Sequence, residues 1–291
     1  MSARLLVIGD VIDDIIVMPT SEMRINTDTD ASIFKTLGGS AANVAAWAAH
    51  SGASVDFVGC VNSQDLERND KNFVAFGVRA QLQTSARPTG SIVVLVEGEN
   101  RTMLTDRGAN QDLDLAAVTN HLESDSILYL SGYALLGKSH AQVESLVSAA
   151  HDRGVLVAID PGSTGYIADY GVEAYRSLLK MADVLFPNLE ESELLDVIGR
   201  VPLVVVTDGP RGATAHWDEG QELAVPGEQV DSVDPTGAGD AFCGAFLAAL
   251  SRVERRERLE SGVVANALQD GVRAGSAAVA RVGARPEPRH P

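Results

Sequence analysis

Cysteine is nearly absent: Cys60 and Cys243 stand far apart in 291 residues, outside any CxxC or Cys/His spacing. That argues against a disulfide scaffold and a zinc site, and it fits a reducing compartment, so a cytoplasmic location is expected. No run of 18 or more apolar residues occurs, and the opening MSARLLVIGD reaches Asp10 too soon for a signal peptide. Neither a membrane span nor export is expected. Positive charge is also scarce, since 23 Lys and Arg face 40 Asp and Glu for a formal net charge of −17. Such a surface repels nucleic acid and anionic lipid, yet one cleft can still hold a phosphate on backbone amides and a divalent ion. A GK[ST] phosphate loop and a complete GxGxxG fingerprint are missing as well. Gly9 is followed by Asp10 rather than by a glycine-rich turn, which weighs against a nicotinamide enzyme.

What is present is the composition of a globular chain, 45% hydrophobic and 22% charged, with no internal repeat. Short aliphatic runs recur at Leu5–Ile8, Val55–Val58, Ile127–Leu130, Val155–Ile159, Val184–Phe186 and Leu203–Val206. Ala-rich stretches lie between many of them, as at Ser40–His50, His140–His151, Tyr175–Met181 and Ala241–Leu250. Strands alternating with helices predict an α/β fold with a doubly wound, mostly parallel sheet, in one domain spanning 1–291. Two regions, about 17–37 and 90–106, break that rhythm with period-2 patterns around polar turns, one of them at 97–100. They predict antiparallel strands outside the main sheet, a small β lid over the carboxyl ends of its strands, where open α/β sheets bind ligands. The tail 285–291 is expected to fray.

Three segments point to chemistry. In AspProThrGlyAlaGlyAsp, residues 234–240, a glycine-rich turn feeds an Ala-rich helix. The amides of Gly237, Ala238 and Gly239 are placed to converge on an anion at the helix N-terminus, where the macrodipole adds about half a positive charge. Asp240 then stands ready to accept a proton from an attacking hydroxyl, or else it caps the helix. In GlyGlySerAlaAlaAsn, residues 38–43, paired glycines open a second Ala-rich helix. Asn43 offers a donor and an acceptor suited to a vicinal diol, or else caps a tight turn. At the amino end, Asp10, Asp13 and Asp14 follow the first strand, and three acids at one strand edge are costly unless used.

The pair GlyGlySerAlaAlaAsnValAla and AspProThrGlyAlaGlyAspAlaPhe resembles the two signatures of the ribokinase-like (PfkB) carbohydrate kinases, and the likeness runs from Asp10 to about Arg285. The resemblance implies an ATP-dependent phosphotransferase with Asp240 as general base and Gly237, Ala238 and Gly239 as anion hole. Substrate hydroxyls would be held by Asp14, Gly38, Gly39 and Asn43, with Asp10 and Arg107 beside them. It further implies that Asn188 and Glu191, the family's NxxE element, organise Mg²⁺ through water; a plain helix start is the alternative. Thr207, Gly209 and Gly212 would form a nucleotide-binding turn. Asp234 would lie near a monovalent cation such as K⁺, with backbone carbonyls around Arg281 and Gly283. A homodimer paired through the lids is implied too.

Departures narrow the substrate. Ser131 to Tyr133 stands where ribokinase proper carries a substrate-contacting glutamate, and ProGlySer after Asp160 lacks the arginine of relatives that phosphorylate acidic sugars. A small sugar or sugar-like acceptor is expected, with a nucleoside or pseudouridine as the alternative. A non-catalytic ligand-binding regulator is a further alternative, disfavoured by an intact Asp240 and glycine turn.

Overall fold

The computed structural model describes residues 2–97 and 100–289. Two sheets organise the site. The larger has nine strands in the order Glu222–Pro226, Gly212–Trp217, Leu203–Thr207, Val184–Leu185, Leu156–Asp160, Ile127–Ser131, Arg4–Ile8, Ser54–Val58, Arg79–Ala80. Pairing is parallel from Arg79–Ala80 through to Leu203–Thr207, and antiparallel across the last two strands at the other edge. Strands covered by helices on both faces must be apolar on both faces, and Leu5, Leu6, Val7 and Ile8 are each at most 2% exposed. Each aliphatic run expected in the main sheet lies there. The antiparallel edge pair and the long helix Ser261–Val279 were not anticipated from the pattern.

The lid departs from expectation in two ways. It begins at Ile12 rather than near residue 17, and its four strands run in the order Ala31–Gly38, Ile12–Pro19, Gly90–Glu97, Asn100–Asp106. Its central pair, Ile12–Pro19 with Gly90–Glu97, is parallel and only the flanking pairs are antiparallel. Each segment folds back on itself as a hairpin, and the two hairpins join through their first strands, Ile12–Pro19 and Gly90–Glu97, which run side by side in the same direction. Residues 98 and 99 of the polar turn placed at 97–100 lie outside the described residues.

The tail is not frayed over its described part. The Trp47 indole N–H donates to the Ala284 carbonyl at 2.9 Å, the Arg289 amide donates to the Ala75 carbonyl at 2.9 Å, and Pro286 is buried. The last two residues of the expected tail lie outside the described residues.

Why the two motif helices are so rich in Ala and Gly follows from their contact. Helix Ser40–His50 packs against helix Ala238–Leu250, and a Cβ on Gly244 would press on Val44 O, Ala48 N and the Trp47 side chain at 2.7–2.8 Å. Such a close approach needs glycine, and a larger side chain costs about 1–3 kcal/mol by overpacking. The approach also brings the start of one helix within hydrogen-bond reach of the start of the other.

Candidate active site

Asp240 is the third residue of helix Ala238–Leu250, whose N-cap is Gly237, so it is not the cap. Its carboxylate is held from the neighbouring helix instead: Ser40 Oγ donates to Oδ1 at 2.8 Å and Asn43 Nδ2 donates to Oδ2 at 2.9 Å. Burial pushes its pKa up to about 7, with Asp160 and Asp10 adding to the rise against those two hydrogen bonds. A carboxylate poised near neutrality is suited to taking a proton from a hydroxyl. Gly237 sits at φ 79° with Ala284 close behind it, whereas a Cβ on Gly239 would enter open space.

Asp14 lies on the first lid strand, opposite Thr36 and Ile92. A Cβ on Gly38 would collide with the Asp14 carboxylate, which explains the first glycine of the GlyGlySer motif. Burial raises the Asp14 pKa to about 7 against the pull of Arg285. Gly39, at φ 97°, leaves no room for a Cβ beside the Asp10 carbonyl. Asp10 itself, 7% exposed, accepts the amides of Ser40 at 3.0 Å and Ala41 at 3.2 Å, so it holds the N-terminus of helix Ser40–His50 while lining a cavity of about 490 Å³. A carboxylate so placed contributes about 0.3–1 kcal/mol, more where partly buried. Asn43 is also engaged on the protein side, since its Oδ1 accepts from Arg285 Nε at 2.9 Å.

Arg107 donates to the Tyr133 carbonyl and places its guanidinium 5.6 Å from the Tyr166 ring centroid. Asn188 and Glu191 form a reciprocal capping box at the start of helix Leu189–Leu195, with Asn188 Nδ2 also donating to Glu191 Oε1 at 2.7 Å. The plain helix-start reading is therefore satisfied geometrically, and the pair still faces a chamber. Desolvation raises the pKa of both Glu191 and Asp160, and among the described residues no ion pair is made by either carboxylate. Asp234 accepts the Thr236 amide at 2.9 Å and the Gly283 amide at 3.1 Å, which ties the C-terminal loop to the start of the glycine turn.

Three cavities lie in series, the first sharing Asp240 with the second and the second sharing Gly239 with the third. The first, about 490 Å³, lies under the lid and is lined by Asp10, Asp14, Asn43, Arg107, Tyr166 and Asp240 among others. The second, about 250 Å³, is bounded by Asp160, Asn188, Glu191, Thr207, Gly239 and Asp240. The third, about 390 Å³, runs from Thr207, Gly209, Gly212 and Gly239 to the apolar face of Val272 and Val279. Among the described residues, no three His, Cys, Asp or Glu side chains are grouped to ligate a metal directly.

The sequence pattern of the pfkB family carbohydrate kinases matches residues 2–290. The chain belongs to this family. The PfkB chain is 30% identical over 263 residues to the ATP-dependent ribose-1-phosphate kinase of Halopiger xanaduensis, covering 86% of this chain and 83% of that one. It is 28% identical over 261 residues to the ribokinase of Bacillus subtilis, covering 85% and 86%. In fold it matches the Vibrio cholerae fructokinase bound to fructose, ADP and calcium, with a TM-score of 0.82, 24% identity and coverage of 98% and 96%. The inosine-bound nucleoside kinase of Burkholderia thailandensis gives 0.76 at 20% identity, covering 99% and 94%. The chain is thus a kinase of the PfkB family, a sugar or nucleoside kinase, and the nicotinamide alternative is excluded.

Four residues of this PfkB site escaped the sequence reading. Ser40 stood inside a quoted motif, and its hydroxyl was the available signal. Asp160 ends a parallel strand at the carboxyl edge, where a carboxylate is a strong hint. Tyr166 and Arg285 carried no local signal: one follows an ordinary turn, the other sits in a tail that looked unstructured.

Proposed function

We propose that the chain transfers the γ-phosphoryl group of ATP to a hydroxyl of a small sugar or nucleoside, with Asp240 as the general base. The observation that carries this reading is a series of three cavities, one under the lid that meets the second at Asp240, a second lined by carboxylates, and a third that shares Gly239 with the second and is apolar at its far end. ATP would lie with its base against Val272 and Val279, held at the Thr207–Gly212 turn, and its terminal phosphate at the amides of Gly237, Ala238 and Gly239. The acceptor lies under the lid, its hydroxyls on Asp14, Asn43 and the Gly38–Gly39 backbone.

The acceptor oxygen attacks the γ-phosphorus, the bond to the β-phosphate oxygen breaks, and ADP leaves. Asp240 removes the acceptor proton as the new bond forms, and the helix N-terminus stabilises the charge on the equatorial oxygens. Asn188 and Glu191, with Asp160 in the same cavity, would suit Mg²⁺ held through its water shell. Bound there, Mg²⁺ neutralises phosphate charge. K⁺ beside Asp234 belongs to the same proposal, checked by replacing K⁺ with choline. So does pairing of lids across a dimer, whose exposed Ile33 and Leu104 sit on lid strands; sedimentation as a monomer at micromolar concentration overturns it.

A nucleoside acceptor is favoured over a bare sugar by one feature. The lid cavity, about 490 Å³, carries an aromatic wall of Tyr133 and Tyr166, with their rings 5.8 Å apart, facing lid residues Ile92, Val94 and Met103. ADP release across ribose, fructose, ribose 1-phosphate, adenosine, inosine and pseudouridine tests both readings. Turnover on none of them, with no protection by ATP and Mg²⁺, overturns the kinase assignment of the site.

A further inference from the structure

The Arg285 guanidinium ties the C-terminal tail to the 38–43 motif and to the helix that carries Asn72. Its Nε donates to Asn43 Oδ1 at 2.9 Å, one terminal nitrogen donates to the Gly38 carbonyl at 2.8 Å, and the other donates to Asn72 Oδ1. Beneath the fork lie the rings of Phe73 and Phe76, 5.8 and 5.7 Å from the guanidinium carbon. A planar five-donor cation over aromatic faces is well suited to such a three-way tie, and a lysine ammonium is not.

Each of the first two contacts leads to a group of the proposed transfer. The oxygen and nitrogen of an Asn amide sit at fixed divergent positions on one plane, so an arginine on Asn43 Oδ1 selects the orientation in which Nδ2 meets Asp240, at 2.9 Å. Gly38 is the residue whose missing side chain makes room for the Asp14 carboxylate. Holding its carbonyl fixes the end of the lid strand against that carboxylate.

We propose that Arg285 is a positioning residue, which orients Asp240 through Asn43 and fixes the Gly38 backbone that seats Asp14. The inference rests on the kinase reading of this site. The C-terminal segment thereby acts as a clasp that assembles the base and the acceptor seat together. Its charge also balances a crowded acidic site. Asp14, Asp10 and Asp240 all face Arg285; burial lowers its pKa to about 10, which still leaves it cationic at neutral pH.

The test uses full-length protein and an acceptor that the wild type phosphorylates. The tail keeps other anchors, the Trp47 bond to Ala284 and the Arg289 amide bond to Ala75, so Arg285→Ala is expected to fold. Its kcat should fall about 10²-fold, the scale of a misplacement near 1 Å, while KM for ATP stays within about twofold. Millimolar guanidinium should restore part of kcat in Arg285→Ala. Arg285→Lys keeps charge near Asp14 without the fork and should remain impaired. Combined with Asn43→Ala, the loss should be far from additive, because both act on Asp240 through one chain. Wild-type kcat in Arg285→Ala or full rescue by lysine overturns the inference and leaves the kinase reading standing. So does a loss that guanidinium leaves untouched in a variant with wild-type melting. A wild type that phosphorylates no acceptor overturns both.

Discussion

The two sides of the transfer site are built from different material. In the proposed reading, the groups that meet the terminal phosphate itself come from one continuous turn and helix start, 234–240, and their geometry is mostly that of the backbone. On the acceptor side the groups come from the first lid strand, the lid-to-helix junction, the Arg107 segment, the Tyr133–Tyr166 wall and the C-terminal tail. A phosphate is the same in every reaction that uses ATP, and amides at a helix N-terminus suit it without side chains. An acceptor differs from enzyme to enzyme, and only side chains can distinguish hydroxyl patterns. The phosphate side should therefore fail as a unit when touched, and the acceptor side should fail one substrate contact at a time.

The sharpest test of that contrast is Asp240, which belongs to both sides. Asp240→Asn keeps the size of the side chain and an oxygen able to accept from Ser40, while removing basicity. A fall in kcat of about 10² to 10⁴ is expected with ATP affinity retained, read from initial rates and nucleotide titration. Near-normal turnover would reduce Asp240 to an organiser of the two helices. Next in size is Gly239→Val. A Cβ there meets no heavy atom within 4 Å, so the protein should melt close to the wild type, yet the added bulk enters the space assigned to phosphate. ATP binding and turnover should both drop by an order of magnitude or more, about the loss of one oxyanion donor. Gly237→Val differs, because φ 79° and the contact with Ala284 make it strained before any ligand arrives. It should lower the melting temperature, and equal melting of the two variants would break the distinction.

The same contrast governs what could be read from the sequence. The parallel sheet, its order of strand and helix, and the glycine turn before Asp240 follow from local pattern, since a buried strand or an anion turn is written in consecutive residues. The lid was half legible: its strands alternate, but the parallel joining of its two hairpins pairs segments about 80 residues apart, which no local pattern announces. Asn43 was legible as a functional position and not in its partners, because Arg285 stands 242 residues away. Asp10 is the converse case. It reads as a substrate contact and spends its oxygens on the amides of Ser40 and Ala41, a helix-end interaction that no spacing rule announces.

On the acceptor side, Asp14→Ala should raise KM for the acceptor by about 10- to 10²-fold, the scale of one lost charge-assisted hydrogen bond, and leave KM for ATP near the wild-type value. Weaker ATP binding with normal acceptor kinetics would place Asp14 on the wrong side of the comparison.

The smallest effect concerns stability without ligands, and it separates seat from substrate. Burial lifts the Asp14 pKa from 3.8 to about 7, with Asp10, Asp13 and Asp240 raising it further and Arg285 lowering it. A group raised in the folded state binds its proton more tightly there than in the unfolded chain. Its contribution is thus fully present below pH ~4 and is lost as pH rises through ~7. Asp240 is shifted in the same direction to about 7, so the two add to one slope. The wild type without ligand should lose melting temperature between pH 5 and 8, and Asp14→Asn, which cannot ionise, should lose less over that range. An acceptor that donates hydroxyls to ionised Asp14 should return part of the loss in the wild type at pH 8 and none in the variant. Equal pH slopes for the two proteins would mean that Asp14 is already ionised in the empty site, with Arg285 rather than the substrate as its counter-charge.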